Sequence, residues 1–259
     1  MPVGGEVVGP GIFGASQGGG SVPANLVEGS SASLTPIIIP GLSGSPDIAP
    51  VPGAGNSQLN DEFDWDTAGV PTHWTQFGTP QILDTNDFVS MLHLKGPTGV
   101  ANSIAGIYKG ITPAGSSFPM SITMKIAETM FSGNFPDVDL FVSPVAPGNA
   151  GTAESLVYVQ NSGATLPQGQ WGTDNMSTLA HTGTGNSSLD MNPQGPCYLR
   201  WTIAAGGLSC VPSISANGRI FIAITTAVTL ASPAAFVGIG CNANGGVSPE
   251  TYIDWIRFT

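Results

Sequence analysis

Basic residues are nearly absent from this chain: 6 Lys and Arg against 17 Asp and Glu give a formal net charge of −11 over 259 residues. That balance excludes a partner bound through nucleic-acid phosphates, which would need a basic surface. Charge of either sign is scarce, at 9%, and the helix formers Lys, Glu, Arg and Leu are few. A helical bundle is thereby disfavoured. Thr, Ser, Val, Ile, 36 Gly and 22 Pro dominate instead, a mixture suited to short strands joined by turns.

Cysteine is also sparse. Cys197, Cys210 and Cys241 form no CxxC and no metal-ligand spacing, which excludes a disulfide framework. A Cys197–Cys210 bridge stays open beside the favoured reading of free, buried thiols. The opening "MPVGGEVVGP" lacks the basic and apolar regions of a secretory signal. One uncharged stretch, residues 220–241, is long enough to span a bilayer, but Thr225, Thr226, Thr229, Ser232 and Pro233 interrupt it. It reads as two buried strands, about 219–230 and 235–242, so no membrane insertion is expected. His73, His93 and His181 share no metal spacing, no GxSxG elbow occurs, and "GGG" at 18–20 lacks the Lys and helix of a phosphate loop. No metal, cofactor or catalytic residue is therefore expected.

What is present divides the chain in two. Residues 1–58 contain no Lys, Arg, His, Trp or Tyr and are rich in Gly, Pro and Ser. Such a segment cannot bury enough apolar surface to fold alone. It nevertheless carries Ile12, Phe13, Leu34 and the run Ile37, Ile38 and Ile39, anchors that a plain spacer omits. An extended arm seated in a partner's groove is the favoured reading, with a loose tail as the alternative.

From residue 59 to 259 the pattern is of strands. "SMLHLK", "SIAGIYKGI", "FPMSITMKIAETM", "DVDLFVS", "SLVYVQN", "CYLRWTIA", "RIFIAITTAV" and "TYIDWIRFT" are separated by turn signals such as "GPTG" and "APGNAG". This predicts one antiparallel sandwich. Alternation places Ile122, Met124 and Ile126 inward opposite Lys125. It places Val138, Leu140 and Val142 inward opposite Asp137, Asp139 and Phe141, and Leu199, Trp201 and Ile203 inward opposite Tyr198, Arg200 and Thr202. The outward set Lys125, Asp137, Asp139 and Arg200 reads as a solvated sheet surface or, less simply, as a ligand groove. Trp171, in the polar stretch "LPQGQWGTDN", could stack on a sugar, plug a subunit contact or pin its own loop.

The order "LNDEFDW…VPTHWTQFG", "AGIYKGI", "FPMSITMKI" and "FVGIGCNANGG…YIDWIRF" resembles the concanavalin A-like lectin/glucanase sandwich, and more narrowly the versions found in tailed-bacteriophage virion proteins. There a Gly/Pro-rich arm with a segment like "IIIPGLSGSPDI" precedes the sandwich. The resemblance implies a jelly roll of two curved antiparallel sheets, a concave face that binds saccharides in some members, and a last strand lying near "DEFDW". It also bears on catalysis. Retaining glucanases of this fold carry Glu-x-Asp-x-x-Glu, a pair of carboxyl groups roughly 5 Å apart. "DEFDWDT" offers Glu62 and Asp64 but has Thr67 at the third position, and "DVDLFV" offers Asp137 and Asp139 but has Val142. Alternation puts Glu62, Asp64 and Asp66 in water and Phe63 and Trp65 in the core, and no DxDxDG calcium loop is present.

These readings lead to a non-enzymatic structural protein of a phage virion, a capsid decoration, fibre or tail-associated component assembled in the host cytoplasm. The arm would hold it to other virion proteins. The alternative is a host-glycan adhesin using Trp171 or the Lys125/Asp137/Asp139/Arg200 face. Sparse surface charge suggests a homo-oligomer, a trimer by analogy with phage appendages.

Overall fold

The computed structural model describes residues 56–63, 69–85, 91–97, 101–112, 116–131, 136–159, 167–190, 196–243 and 248–259, all within the unit Ala49–Thr259. Ile12, Phe13, Leu34, Ile37, Ile38 and Ile39 lie outside the described residues, as do Asp64, Trp65, Asp66 and Thr67.

Among the described residues there is no α-helix, only a 3-10 turn at Asn56–Leu59 ahead of the strands. In chain order these are β1 (Thr75–Phe77), β2 (Ile82–Asp84), β3 (Leu92–Lys95), β4 (Ser103–Gly110), β5 (Met120–Met130), β6 (Asp137–Ser143) and β7 (Thr152–Val159). There follow β8 (Gln168–Asn175), β9 (Ala180–Asp190), β10 (Cys197–Ile203), β11 (Ser209–Ser215), β12 (Ile222–Ala223), β13 (Val228–Thr229), β14 (Phe236–Ala243) and β15 (Glu250–Phe258). A seven-stranded sheet has the order β1-β4-β14-β6-β7-β8-β9; an eight-stranded sheet runs β12-β11-β10-β5-β15-β3-β2, with β13 also on β11. The expected all-β sandwich is the observed one.

The main core lies between the sheets and takes the inward sets read from alternation: Ile122, Met124 and Ile126, then Val138, Leu140 and Val142, then Leu199, Trp201 and Ile203. Such burial is the dominant favourable contribution to folding. Trp201 also ties the layers polar-to-polar, its Nε1 donating to the Leu140 carbonyl of the facing sheet at 2.7 Å. The last strand closes the domain near its start, because Asp61 and Ile256 exchange backbone hydrogen bonds of 2.9 Å in both directions. That pairing is one isolated bridge rather than a strand. Phe63 is buried as expected, but it stands at φ 51°, off the extended backbone that the alternation presupposes.

The seven-stranded sheet does not stay open. It curls until β9 reaches β4 through the pair Ser103 and Ala180. Hydrogen bonds from Ile104 N to the Leu179 carbonyl and from His181 N to the Asn102 carbonyl, both 3.0 Å, fasten the same junction. The face turned away from the main core thus becomes an enclosed inner face, with its own apolar cluster of Phe77, Ile104, Phe141, Ala153 and Met176. Glycine makes room there. A Cβ on Gly238 would stand 2.0 Å from the Phe141 ring, so the ring lies where any larger residue would place its side chain.

Two further expectations are corrected. Residues 219–230 are no buried strand: β12 and β13 are two-residue pairings on β11, and Ile220 and Ile222 are 69% and 56% exposed. The segment wraps the sheet edge, where one side has no layer to pack against. By contrast 235–242 is the buried β14. No helix among the described residues is long and apolar enough to cross a membrane. Cys197, Cys210 and Cys241 are free and buried, and burial pushes their thiols up, away from the reactive thiolate.

Candidate functional site

The enclosed face of the curl gathers the ionisable groups. Alternation sends Asp137 and Asp139 of β6 to the same side as Phe141. Register then sets Asn242 of β14 opposite Asp137, Asp174 of β8 opposite Ala153, and His181 of β9 opposite Asp174. Four strands therefore supply these side chains, β6 giving two of them, all with the same parity. Asn242 donates its amide to Asp137 Oδ2 at 3.3 Å, and Ser155 Oγ of β7 donates to Asp139 Oδ1. His181 Nδ1 lies 2.9 Å from Asp174 Oδ1 and 3.6 Å from Asp139 Oδ1.

Three acids and one histidine in so dry a place perturb one another. Burial, then the Asp139 charge, raises Asp137 well above the carboxylate range, and the same two causes lift Asp174 to about 6. Burial alone would lower His181, but the Asp139 and Asp174 carboxylates overturn that and raise it to about 12. The imidazolium is thus the internal counter-charge of the group. Asp137, Asp139 and His181 also each bring one metal-ligating atom within 4.8 Å of the others.

Of the candidate residues named from sequence, Asp137 and Asp139 are brought together, and Lys125, Arg200 and Trp171 do not join them. Asp137 and Asp139 do point away from the main core, but the expectation that they face water is corrected: they are 3% and 0% exposed, because the curl and the Met176–Leu179 turn roof that face. Lys125 and Arg200 belong to the other sheet. Lys125 pairs with Asp254 at 2.7 Å; Arg200 donates from Nε to Thr123 Oγ1 at 2.8 Å and lies 3.4 Å over the Phe221 ring. Trp171 is in β8, not in a loop, and packs from its partly buried position onto the main core. Glu62 is held by Arg257 in a two-point ion pair, both contacts 2.9 Å. Sequence reasoning missed Asp174, His181 and Asn242, because their neighbours in space are set by register and not by spacing along the chain.

Above this cluster, on the lip of the curl, opens a groove of about 520 Å³. Thr79, Gln81, Ser103 and Thr178 supply polar groups, and Pro80 and Pro97 stiff apolar walls. No charged side chain lines it. A second pocket of about 320 Å³ contains Asp61, His73 and Lys109. Lys109 donates to the Leu59 carbonyl and sits 4.4 Å over Trp74, and burial lowers it to about 8 against the opposing pull of Asp61.

No protein-family model and no curated protein matches the chain. Solved structures do. The xylan β-1,4-xylosidase of Bacillus halodurans is similar at a TM-score of 0.55 and 13% identity, over 77% of this chain and 38% of that one. The GH43 protein BlXynB of Bacillus licheniformis is similar at 0.54 and 13%, with the same two coverages. The carbohydrate recognition domain of Emp47p is similar at 0.50 and 13%, over 79% of this chain and 96% of that domain. The chain thus spans 38% of the length of the two Bacillus proteins. At such identities the likeness defines the fold, a concanavalin A-like lectin sandwich. It also corrects the expectation of a non-enzymatic chain. The same sandwich occurs within glycoside-hydrolase chains, so an incomplete Glu-x-Asp-x-x-Glu pattern is no ground for setting catalysis aside.

Proposed function

We propose that the chain is a carbohydrate-binding sandwich whose groove on the lip of the curled sheet takes an uncharged saccharide. The observation that carries this reading is the groove itself, uncharged and lined by hydroxyls, one side-chain amide and proline. Its volume falls within the roughly 300–1,000 Å³ of small-ligand sites. Hydroxyl and amide groups match the alternating donors and acceptors of a sugar, and prolines offer rigid apolar surface to its C–H face. The similarity to a carbohydrate recognition domain supports the same reading. A glycan array probed with the full chain should give a restricted set of neutral ligands. Thr178→Trp, which fills the groove, should weaken them at least tenfold while leaving the fold intact by circular dichroism. An array without ligands, or one indifferent to Thr178→Trp, overturns the reading.

The setting we propose is a phage particle, with the sandwich held to another virion protein by Ile12, Phe13, Ile37, Ile38 and Ile39. The arm's composition and the resemblance of the arm–sandwich order support it. Because Asn56 pairs with Ser117 and Leu59 is in the core, the informative truncation removes residues 1–55. The truncated chain should fold yet fail to join particles; normal incorporation refutes the setting. Light scattering of the full chain tests the proposed trimer.

A further inference from the structure

The second pocket, of about 320 Å³, is lined by an amine that the carbohydrate reading does not use. The chain has three lysines, and two of them are held in ion pairs. Lys95 Nζ lies 3.1 Å from Glu250 Oε2, and Lys125 Nζ lies 2.7 Å from Asp254 Oδ2. Lys109 is placed differently. It is 9% exposed, and its Nζ donates to the Leu59 carbonyl between two aromatic faces, 4.4 Å from the Trp74 ring and 5.1 Å from the Phe258 ring. Asp61 acts on it through space, because both carboxylate oxygens are already engaged. Oδ2 accepts from Trp74 Nε1 at 2.6 Å, and Oδ1 accepts from the Phe63 amide at 2.9 Å.

An ammonium so poorly solvated gives up its proton readily, and burial lowers Lys109 to about 8. At pH 7.5 about a quarter of it is then free amine, against roughly one part in a thousand of an ordinary lysine. A desolvated free amine beside a cavity is a nucleophile. The cavity opens at His73, which is exposed, and Gln58, Asn60 and Asp61 give it polar walls. Its volume lies at the small end of ligand pockets, which run from roughly 300 Å³ upward.

We infer that Lys109 is a carbonyl-reactive lysine, and that its pocket takes small hydroxyaldehydes as covalent imines. The Nζ lone pair attacks the aldehyde carbon, and the carbonyl oxygen gains a proton to give a carbinolamine. Water then leaves as the C=N bond forms, on a further proton delivered from the open mouth. The protonated product is an iminium, a cation where the ammonium lay. Ring faces that favour one cation favour the other, and the Asp61 carboxylate stands as counter-charge. The same surroundings disfavour the carbamate that a free lysine amine forms with CO₂, because it would set a second anion near Asp61. The inference rests on this pocket alone and is independent of the groove.

The test exposes the full chain briefly to glycolaldehyde at pH 7.5 with sodium cyanoborohydride, which reduces the imine to a stable secondary amine. Peptide mass spectrometry then maps the adducts. In the native chain Lys109 should be labelled at least tenfold more than Lys95 or Lys125, and in urea the three should be labelled alike. Lys109→Met and Lys109→Arg should lose that adduct and leave labelling of Lys95 and Lys125 unchanged. The map of the wild-type chain decides the matter even where a variant fails to fold. Native labelling of Lys109 no greater than that of the other two, or labelling that appears only in urea, overturns the inference.

Discussion

The inner face of the curled seven-stranded sheet and the outer face of the eight-stranded sheet begin from the same kind of sequence. In β6 as in β5 and β10, apolar residues alternate with polar ones, and the apolar set enters the main core. Their other faces then differ in kind. On the eight-stranded sheet, opposite charges meet at the surface, Lys125 with Asp254 and Arg257 with Glu62, and Arg200 lies over the Phe221 ring. On the seven-stranded sheet three acids are shut in with one histidine beside an apolar cluster. The difference teaches that a polar face of a strand is only an address. Whether it is wet depends on what closes over it.

This contrast can be broken most severely at one aromatic from each region. Phe141 is fully buried inside the curl. Phe141→Ala should cost about 3–5 kcal/mol in chemical denaturation; a loss near that of a surface substitution would mean the curl is not closed. Phe221, under Arg200 and only partly buried, has no such roof, and Phe221→Ala should cost no more than about 1 kcal/mol.

Lys109 sharpens the comparison from a third side, since it points between the sheets. Its folded-state value of about 8 lies below the ordinary 10.5 of lysine, chiefly through burial. Below pH 8 the lysine is charged in both states and the burial penalty is complete. Between about pH 8 and 10.5 the unfolded chain binds more protons, so stability should climb with pH by up to roughly 3 kcal/mol and then level off. Lys109→Met, spanning Trp74 and Phe258 with an uncharged chain, should abolish that climb relative to wild type. A variant with the same pH slope would show that Lys109 is not the group responsible.

The smallest effects belong to the outer pairs. Arg257→Ala breaks a two-point ion pair with a partly exposed Glu62 and should cost about 1 kcal/mol, falling as salt is added. Lys125→Ala, opposite Asp254, should cost less than about 1 kcal/mol. Double-mutant cycles with Glu62→Ala and Asp254→Ala measure both couplings.

The parts of the fold that sequence revealed are those where alternation is unmistakable: β5, β6, β10 and β15. The hairpin β8–β9 is absent from the strands legible in the sequence because its residues are mostly polar or small on both faces, and such a strand announces no core side. Its inward face meets the enclosed cluster instead of an apolar layer. The same fact hid Asp174 and His181. The available signal was Asp137 and Asp139 alternating with a wholly apolar set, and it gave the parity of the site without its surroundings. Trp171 was misplaced for a related reason, because a polar neighbourhood in sequence says nothing about the layer beneath it.

What the sequence determined by itself was therefore local: an all-β chain, which residues of each strand share a face, three thiols too few and too scattered for a framework, and too little basic charge for nucleic acid. These follow from backbone geometry, whose period of two residues needs no partner. What only the tertiary structure decided was solvation. A single pairing, Ser103 with Ala180, curls one sheet onto itself and turns a face that alternation marks as outward into an interior. Contacts between residues so far apart in the chain leave no periodic trace, and on them depends whether Asp139 meets water or a closed interior.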